Sequence, residues 1–368
     1  MAVFFFHTYK LHAGYLGVPA FFVLSGFLLT PILIDMKAKF DGKAFFARFY
    51  GRRALRIFPL YYFYLAITAV ICVVALRWDD FPDRYHAVRF LDQLPMAALF
   101  LIDIIHAGEG YQTTKLLSHF WSLAVEEQFY LVWPLVIFLV PKIRIKTLLI
   151  VIICCGPLIR WFIGSDFLAE AMLFLGDDRD TVVYTLPFSH LDGFAMGGYF
   201  ALYRKSGSGL SVWILFALAY VLGVGSTWMT GGPFVATELG YGPFMPDAAK
   251  HIWGYSLLSL VFANMLIHIR DRKFFPRLFE NPILDYLGKI SYGLYVYHYA
   301  IILVVYGFLR DLPEPVRLVV SLALSIAVSV ASYELFEKKF LTFKDRFFSR
   351  DPESTEGAKE PIPQEATS

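Results

Sequence analysis

SHFWSLAVEEQFYLVWPL, residues 118–135, has the length and apolar content of a membrane-crossing helix, yet it carries two adjacent carboxylates, Glu126 and Glu127. An ionisable side chain near the centre of a bilayer costs roughly 2.5–3.5 kcal/mol on insertion scales, so such residues persist where they are used or neutralised. Reading this stretch as a helix in lipid, not in a soluble core, decides the fold class.

The rest of the chain agrees. Of its 368 residues, 57% are hydrophobic, 18% aromatic and only 17% charged, against about 25% charged in soluble domains. Apolar segments near 17–35, 55–76, 121–140, 145–163, 189–204, 211–227, 251–268, 289–309 and 317–336 approach the length of a crossing, and a partial one begins at Met1. A net charge of +2 gives no ground for a nucleic-acid partner, and Cys72, Cys154 and Cys155 lie in apolar runs without zinc-like spacing. No metal site and no disulfide framework are expected. The N-terminal stretch lacks the basic flank of a signal peptide.

Charge location orders the segments. The connectors at 37–56, 141–146, 203–205, 269–277 and 337–350 are basic, whereas those around 79–83, 176–180 and 231–247 are acidic or neutral. By the positive-inside rule the basic set faces the cytoplasm. Alternation then excludes a full crossing by FLDQLPMAALFLIDIIHAG at 90–108, which is expected to be re-entrant or to lie along the outer surface. The expected architecture is an all-α polytopic bundle of about ten transmembrane helices, with both termini cytoplasmic. Residues 1–348 form the membrane domain, and 349–368, rich in Pro, Glu, Ser and Thr, form a disordered tail.

Three polar clusters are candidates for chemistry. His119, Ser122 and Glu126 recur at i, i+3 and i+7, sharing one helix face, while Glu127 points about 100° away. These carboxylates either act on a substrate or hold helices together by bonding to buried Arg, His or Tyr. In LGKISYGLYVYHYAI, Ser291, Tyr295 and His298 form a second stripe, where a packing histidine is the competing reading. Arg52, Arg53 and Arg56 precede a membrane segment; Arg53 and Arg56 can grip an anion together, or anchor the helix to lipid phosphates. His7 follows an apolar run, and taken alone it carries little weight.

Together these pieces resemble the acyltransferase-3 family of integral membrane enzymes that O-acylate sugars of bacterial surface polysaccharides. The likeness runs from His7 to about Phe340 and rests on six blocks in order: HTYKLHAGYLGVPAFFVLSGFLLT, FYGRRALRIFPLYY, HFWSLAVEEQFYLVWPL, HLDGFAMGGYFA, LGKISYGLYVYHYAII and YELFEKKF. The resemblance implies that Arg53 and Arg56 match a cytoplasmic Arg-x-x-Arg motif associated with an acyl-CoA donor, that His7 matches the essential histidine of the first helix, and that Glu126 falls on the carboxylate of WSLxxE. His190 and Asp192 stand where members often have Arg-x-Asp, and Gly17, Val18 and Pro19 where many have Gly-Val-Asp.

The resulting expectation is a bacterial inner-membrane enzyme passing an acyl group, in the first place acetyl, from cytoplasmic acetyl-CoA or another acyl-CoA to a hydroxyl of an extracytoplasmic glycan. No tightly bound cofactor is expected. His7, Glu126 and His119 are the catalytic candidates, with Glu126 orienting His7 as a base. Arg53, Arg56, Ser122, Glu127, Asp192 and His298 are the substrate-binding candidates. A transporter of a glycan or small molecule, or an acyl translocator serving a separate transferase, are the alternatives. Only six residues precede His7, about 9 Å of helix. The native reading frame is therefore expected to begin further upstream, and the family resemblance implies an arginine eleven positions before His7.

Overall fold

A computed structural model describes residues 2–78, 83–109, 113–165, 178–232, 235–243, 245 and 247–348. The expected tail at 349–368 and most of the acidic connector at 79–83 lie outside them. All regular structure among the described residues is helical. The main helices are α1 (Ala2–His7), α2 (Gly17–Lys39), α3 (Gly42–Ala75), α4 (Arg84–Ala98), α5 (Ile102–Glu109), α6 (Trp121–Leu139) and α7 (Lys142–Ile163). They continue as α8 (Leu191–Tyr203), α9 (Leu210–Met229), α10 (Lys250–Arg270), α11 (Pro282–Lys289), α12 (Ser291–Phe308), α13 (Glu314–Ser332) and α14 (Lys338–Phe347), with a π-helical turn at Tyr333–Glu337 joining the last two.

Among the described residues, eight helical stretches are long and apolar enough to cross a bilayer: those containing α2, α3, α6, α7, α9, α10, α12 and α13. The expected count of about ten is not reached on that criterion. α1 has six residues and α8 thirteen, about 9 Å and 20 Å of helix against a hydrocarbon core of about 30 Å. α8 nevertheless joins the two ends of the bundle. At its start Asp192 bonds Arg160 near the end of α7, and at its finish Arg270 of α10 donates to the carbonyls of Ala201 and Arg204. The 3-10 turn Pro187–His190 leads into it from the end opposite the basic loops.

α8 reaches this central position through glycine. A Cβ on Gly26 of α2 would overlap the carbonyl of Phe194, and one on Gly197 of α8 would overlap the carbonyl of Val23. Such backbone-to-backbone approach is how helices associate where lipid removes any hydrophobic drive between them. At the basic end, Lys37 donates to the carbonyls of Ile137 and Val140 at 3.0 and 2.9 Å, serving the otherwise unpaired C-terminus of α6.

The segment near 90–108 is a helical hairpin. α4 begins beside the end of α3, where Arg84 donates to Leu76, and descends along α3 until Ala97 and Ala98 accept from Tyr61 and Tyr62. Phe100, with φ of 56°, turns the chain, and α5 climbs back against α6, where Gln128 donates to Asp103. The return closes on the same end, because Thr114 donates its backbone N–H to Gln93 and its hydroxyl to His86. This is the re-entrant form of the expectation.

Two outcomes follow from this packing. In a background lacking Cys72, Cys154 and Cys155, cysteines at the exposed positions Trp78 and Lys115 will react with an impermeant thiol reagent from the same side. Opposite-side labelling would mean that the hairpin crosses. Gly197→Ala will lower the unfolding free energy by about 1–3 kcal/mol through overpacking, read as a reduced thermal midpoint, whereas Gly307→Ala, whose Cβ meets nothing within 4 Å, will not.

Candidate functional site

Three histidines from distant parts of the chain meet at the end opposite the basic loops. α1 folds back on the start of α2, with Gly14 under the Ala2 carbonyl and Gly17 3.2 Å from Val3 as judged by an added Cβ. This lays the half-buried His7 ring on Tyr299 at 4.3 Å and 5.2 Å from the His298 ring. His119 completes the group, 5.3 Å from His298 between ring centroids. His119 does not lie within α6 but in the junction before it, after the short turn Lys115–Ser118. The backbone there stays helical, so it still sits above Ser122 as its spacing predicts.

Hydrogen bonding sorts the three rings. The His298 Nδ1 lies 2.8 and 3.1 Å from the carbonyls of Tyr295 and Leu294. Two acceptors require that Nδ1 carries the proton, leaving Nε2 as the basic nitrogen. That Nε2 and both ring nitrogens of His119 are buried without a hydrogen-bond partner among the described residues. Buried polar atoms left unmatched are uncommon and call for a role. Tyr295 links the group to α6: its hydroxyl donates to the His119 carbonyl and therefore accepts from Ser122 Oγ at 2.8 Å.

Two turns along α6, Glu126 is buried at 3% exposure. It accepts from Ser25 Oγ at 2.7 Å and from the Tyr130 hydroxyl, and makes no hydrogen bond to His7. The carboxylate faces the basic end instead. The Arg53 guanidinium lies over the Tyr130 ring at 4.8 Å and acts electrostatically on both Glu126 and Glu127. Glu127 is half-buried on the adjoining face, its Oε1 without a partner among the described residues.

Arg53 opens into a cleft at the basic end. Arg52, Arg53, Arg56 and Lys344 line it together with the apolar side chains Leu29, Ile32, Met36 and Phe49. α14 forms one bank, held by Arg52 donating to the Phe348 carbonyl at 2.8 Å. From the three histidines through Ser122, Tyr295 and Glu126 to Arg53 and this cleft, polar side chains extend through the bundle.

Asp192 belongs elsewhere. Arg160 grips both of its carboxylate oxygens at 2.9 Å and also donates to the carbonyls of Ser189 and Ile252, with Ser256 Oγ donating to Asp192. His190 is bonded to the Tyr184 carbonyl at 2.7 Å and packs on Trp121 and Phe22. The guanidinium facing Asp192 thus comes from α7 and not from position 190, two residues earlier. Sequence reasoning passed over Arg160, although a lone arginine in an apolar run is itself a signal. Tyr130, one helical turn from Glu126, and Ser25 of α2 are further partners that the sequence pattern does not single out.

A family profile for an acyltransferase domain, Acyl_transf_3, matches residues 1–334. The chain belongs to the acyltransferase-3 family. O-acetyltransferase OatA of Staphylococcus aureus strain NCTC 8325 / PS 47 is similar to this family member, 27% identical over 364 residues that cover 89% of this chain and 52% of that protein. The OatA of strain COL is similar to the same extent. A candidate O-acetyltransferase of strain COL, SACOL0978, is 26% identical over 368 residues, 92% of this chain and 55% of its own. The chain spans about half the length of these relatives. No solved structure is significantly similar to it.

The Arg160–Asp192 pair is fully buried, so removing one partner strands the other. Arg160→Met will cost about 3–5 kcal/mol of stability, and adding Asp192→Ala will recover more than half of it. Unfolding of the detergent-solubilised variants measures both; equal losses in the single and double variants would refute the assignment.

Proposed function

We propose that this chain is a membrane O-acetyltransferase that takes its acyl group from a coenzyme A thioester at the basic end and delivers it to a glycan hydroxyl at the histidine end. The positive-inside rule puts the basic end in the cytoplasm and the histidines on the outer side. What carries the reading is the buried polar route between the basic cleft and the unpartnered imidazoles, in a member of this family. Arginines suit the donor's phosphates through planar, multidentate hydrogen bonding. Apolar Leu29, Ile32 and Met36 beside them suit its extended arm.

A hydroxyl is a weak nucleophile at neutral pH and needs a base. His298, its tautomer set by backbone carbonyls, offers Nε2 for that proton; His119 and His7 complete the walls where the hydroxyl would sit. With the donor's arm extended from the cleft along the polar route to the imidazoles, the acceptor oxygen bonds to the acyl carbon as the C–S bond breaks, and the departing thiolate takes up the proton that His298 removed, to leave as the thiol. Glu126, bonded by Ser25 and Tyr130 and facing Arg53, serves as a charge partner on the donor side of the route and not as the orienter of His7.

A second reading is that this domain carries the acyl group through the bundle and hands it to a separate transferase. Both readings are tested with purified protein in liposomes, radiolabelled acetyl-CoA on the basic side and glycan on the other. The first expects acetylated glycan with this chain alone; label that crosses or stays on the protein without reaching glycan would favour the second, and no label uptake would refute both. His298→Ala will lower transfer by about 10²–10⁴-fold, the usual worth of a general base, and His119→Ala, which removes only a wall, will lower it less. Glu126→Gln will lose far more activity than Glu127→Gln; equal losses would overturn the role given to Glu126.

A further inference from the structure

Beside the basic cleft lies a wider, open cavity of about 300 Å³, and Arg56 forms part of the walls of both. Gly288 and Lys289 of α11, Tyr292 of α12, and Tyr333 and Glu337 of the π-helical turn make up most of the remainder. π-Helical turns are rare and are found frequently at functional sites. The walls are held in place. Tyr292 donates to the carbonyl of Ile57, the neighbour of Arg56, at 2.9 Å. Tyr333 is met edge-on by Tyr286 at 6.4 Å, Ser332 donates to Glu337 at 2.9 Å, and Lys289 is braced by Asp285 at 2.7 Å.

The two compartments differ in chemistry. The narrower one combines cations with the apolar side of α2 and leads to Arg53, beside Tyr130 and Glu126. It fits a slim chain with phosphate at its mouth. The wider one offers two tyrosine rings, on which a planar base can stack, and the Lys289 ammonium, which a phosphate would share with Asp285 of the same wall. Arg56, common to both, stands where a linking diphosphate would lie.

We propose that the wide cavity seats the adenosine end of the donor, an adenine nucleotide, while the narrow cleft takes its thioester arm. This deepens the acyl-CoA reading above and rests on it. Gly288 allows a direct test, because a Cβ there meets nothing within 4 Å, so a large side chain can fill the cavity without moving backbone.

The full chain in liposomes is assayed with acetyl-CoA and with S-acetyl-4′-phosphopantetheine, which lacks the adenosine end. For the unmodified chain KM is expected to be about five- to hundredfold lower for acetyl-CoA, the range expected of one stacked base. In Gly288→Trp that ratio falls to near one through a higher KM for acetyl-CoA, and Tyr333→Ala moves it the same way should the first variant fold poorly. A ratio retained in both variants, or a parallel rise for both donors, would overturn the proposal while leaving the acyl-CoA reading standing. Failure of the unmodified chain to use either donor would remove that reading and this proposal with it.

Discussion

The close contact between the backbones of α2 and α8 governs the interior. With Gly26 against the Phe194 carbonyl and Gly197 against that of Val23, the two helices have no room to slide or rotate. Their registry turns Ser25, next to Gly26, onto Glu126 of α6, and holds Asp192 at the start of α8 against Arg160 of α7. A single added methyl at either glycine would push on a carbonyl, a rigid neighbour that cannot rotate away. The polar constellation therefore depends on an apolar, sterically determined seam.

Lipid makes the hydrogen-bond status of each buried polar group informative, since water is not at hand to satisfy it. Arg160 and Asp192 have their donors and acceptors matched by each other, by two backbone carbonyls and by Ser256. Such saturation is the mark of a structural clamp. His119 and the Nε2 of His298 are buried equally well and lack partners among the described residues. Glu126 stands between these cases, held by two hydroxyls and electrostatically coupled to arginines that border a cleft. The gradient from matched to unmatched groups separates what holds the bundle from what keeps hydrogen-bonding capacity to spare.

Helical class, the positions of most membrane segments and the division into basic and acidic ends were legible in the sequence, because hydropathy and loop charge are local properties of the chain. The spacing of His119, Ser122 and Glu126 was legible too, since helical periodicity survives the break at the junction before α6. The crossing count was not, because segment length read from hydropathy ignores how a short glycine-rich helix and a 3-10 turn divide a crossing. Nor could alternation alone choose between a re-entrant and a surface segment; the left-handed turn at Phe100 and the tyrosine bonds from α3 made that choice.

The meeting of His7, His119 and His298 was decided only by the tertiary structure, for it depends on a fold-back of α1 and on the rotation of α12 about its own axis. The same holds for the partners of Glu126. Sequence placed a carboxylate on a histidine-bearing face, but which neighbours it faces is set by the helices packed around it, and these supply Ser25 and Arg53 instead of His7. Periodicity determines which side chains share a face of one helix. Packing determines what that face meets.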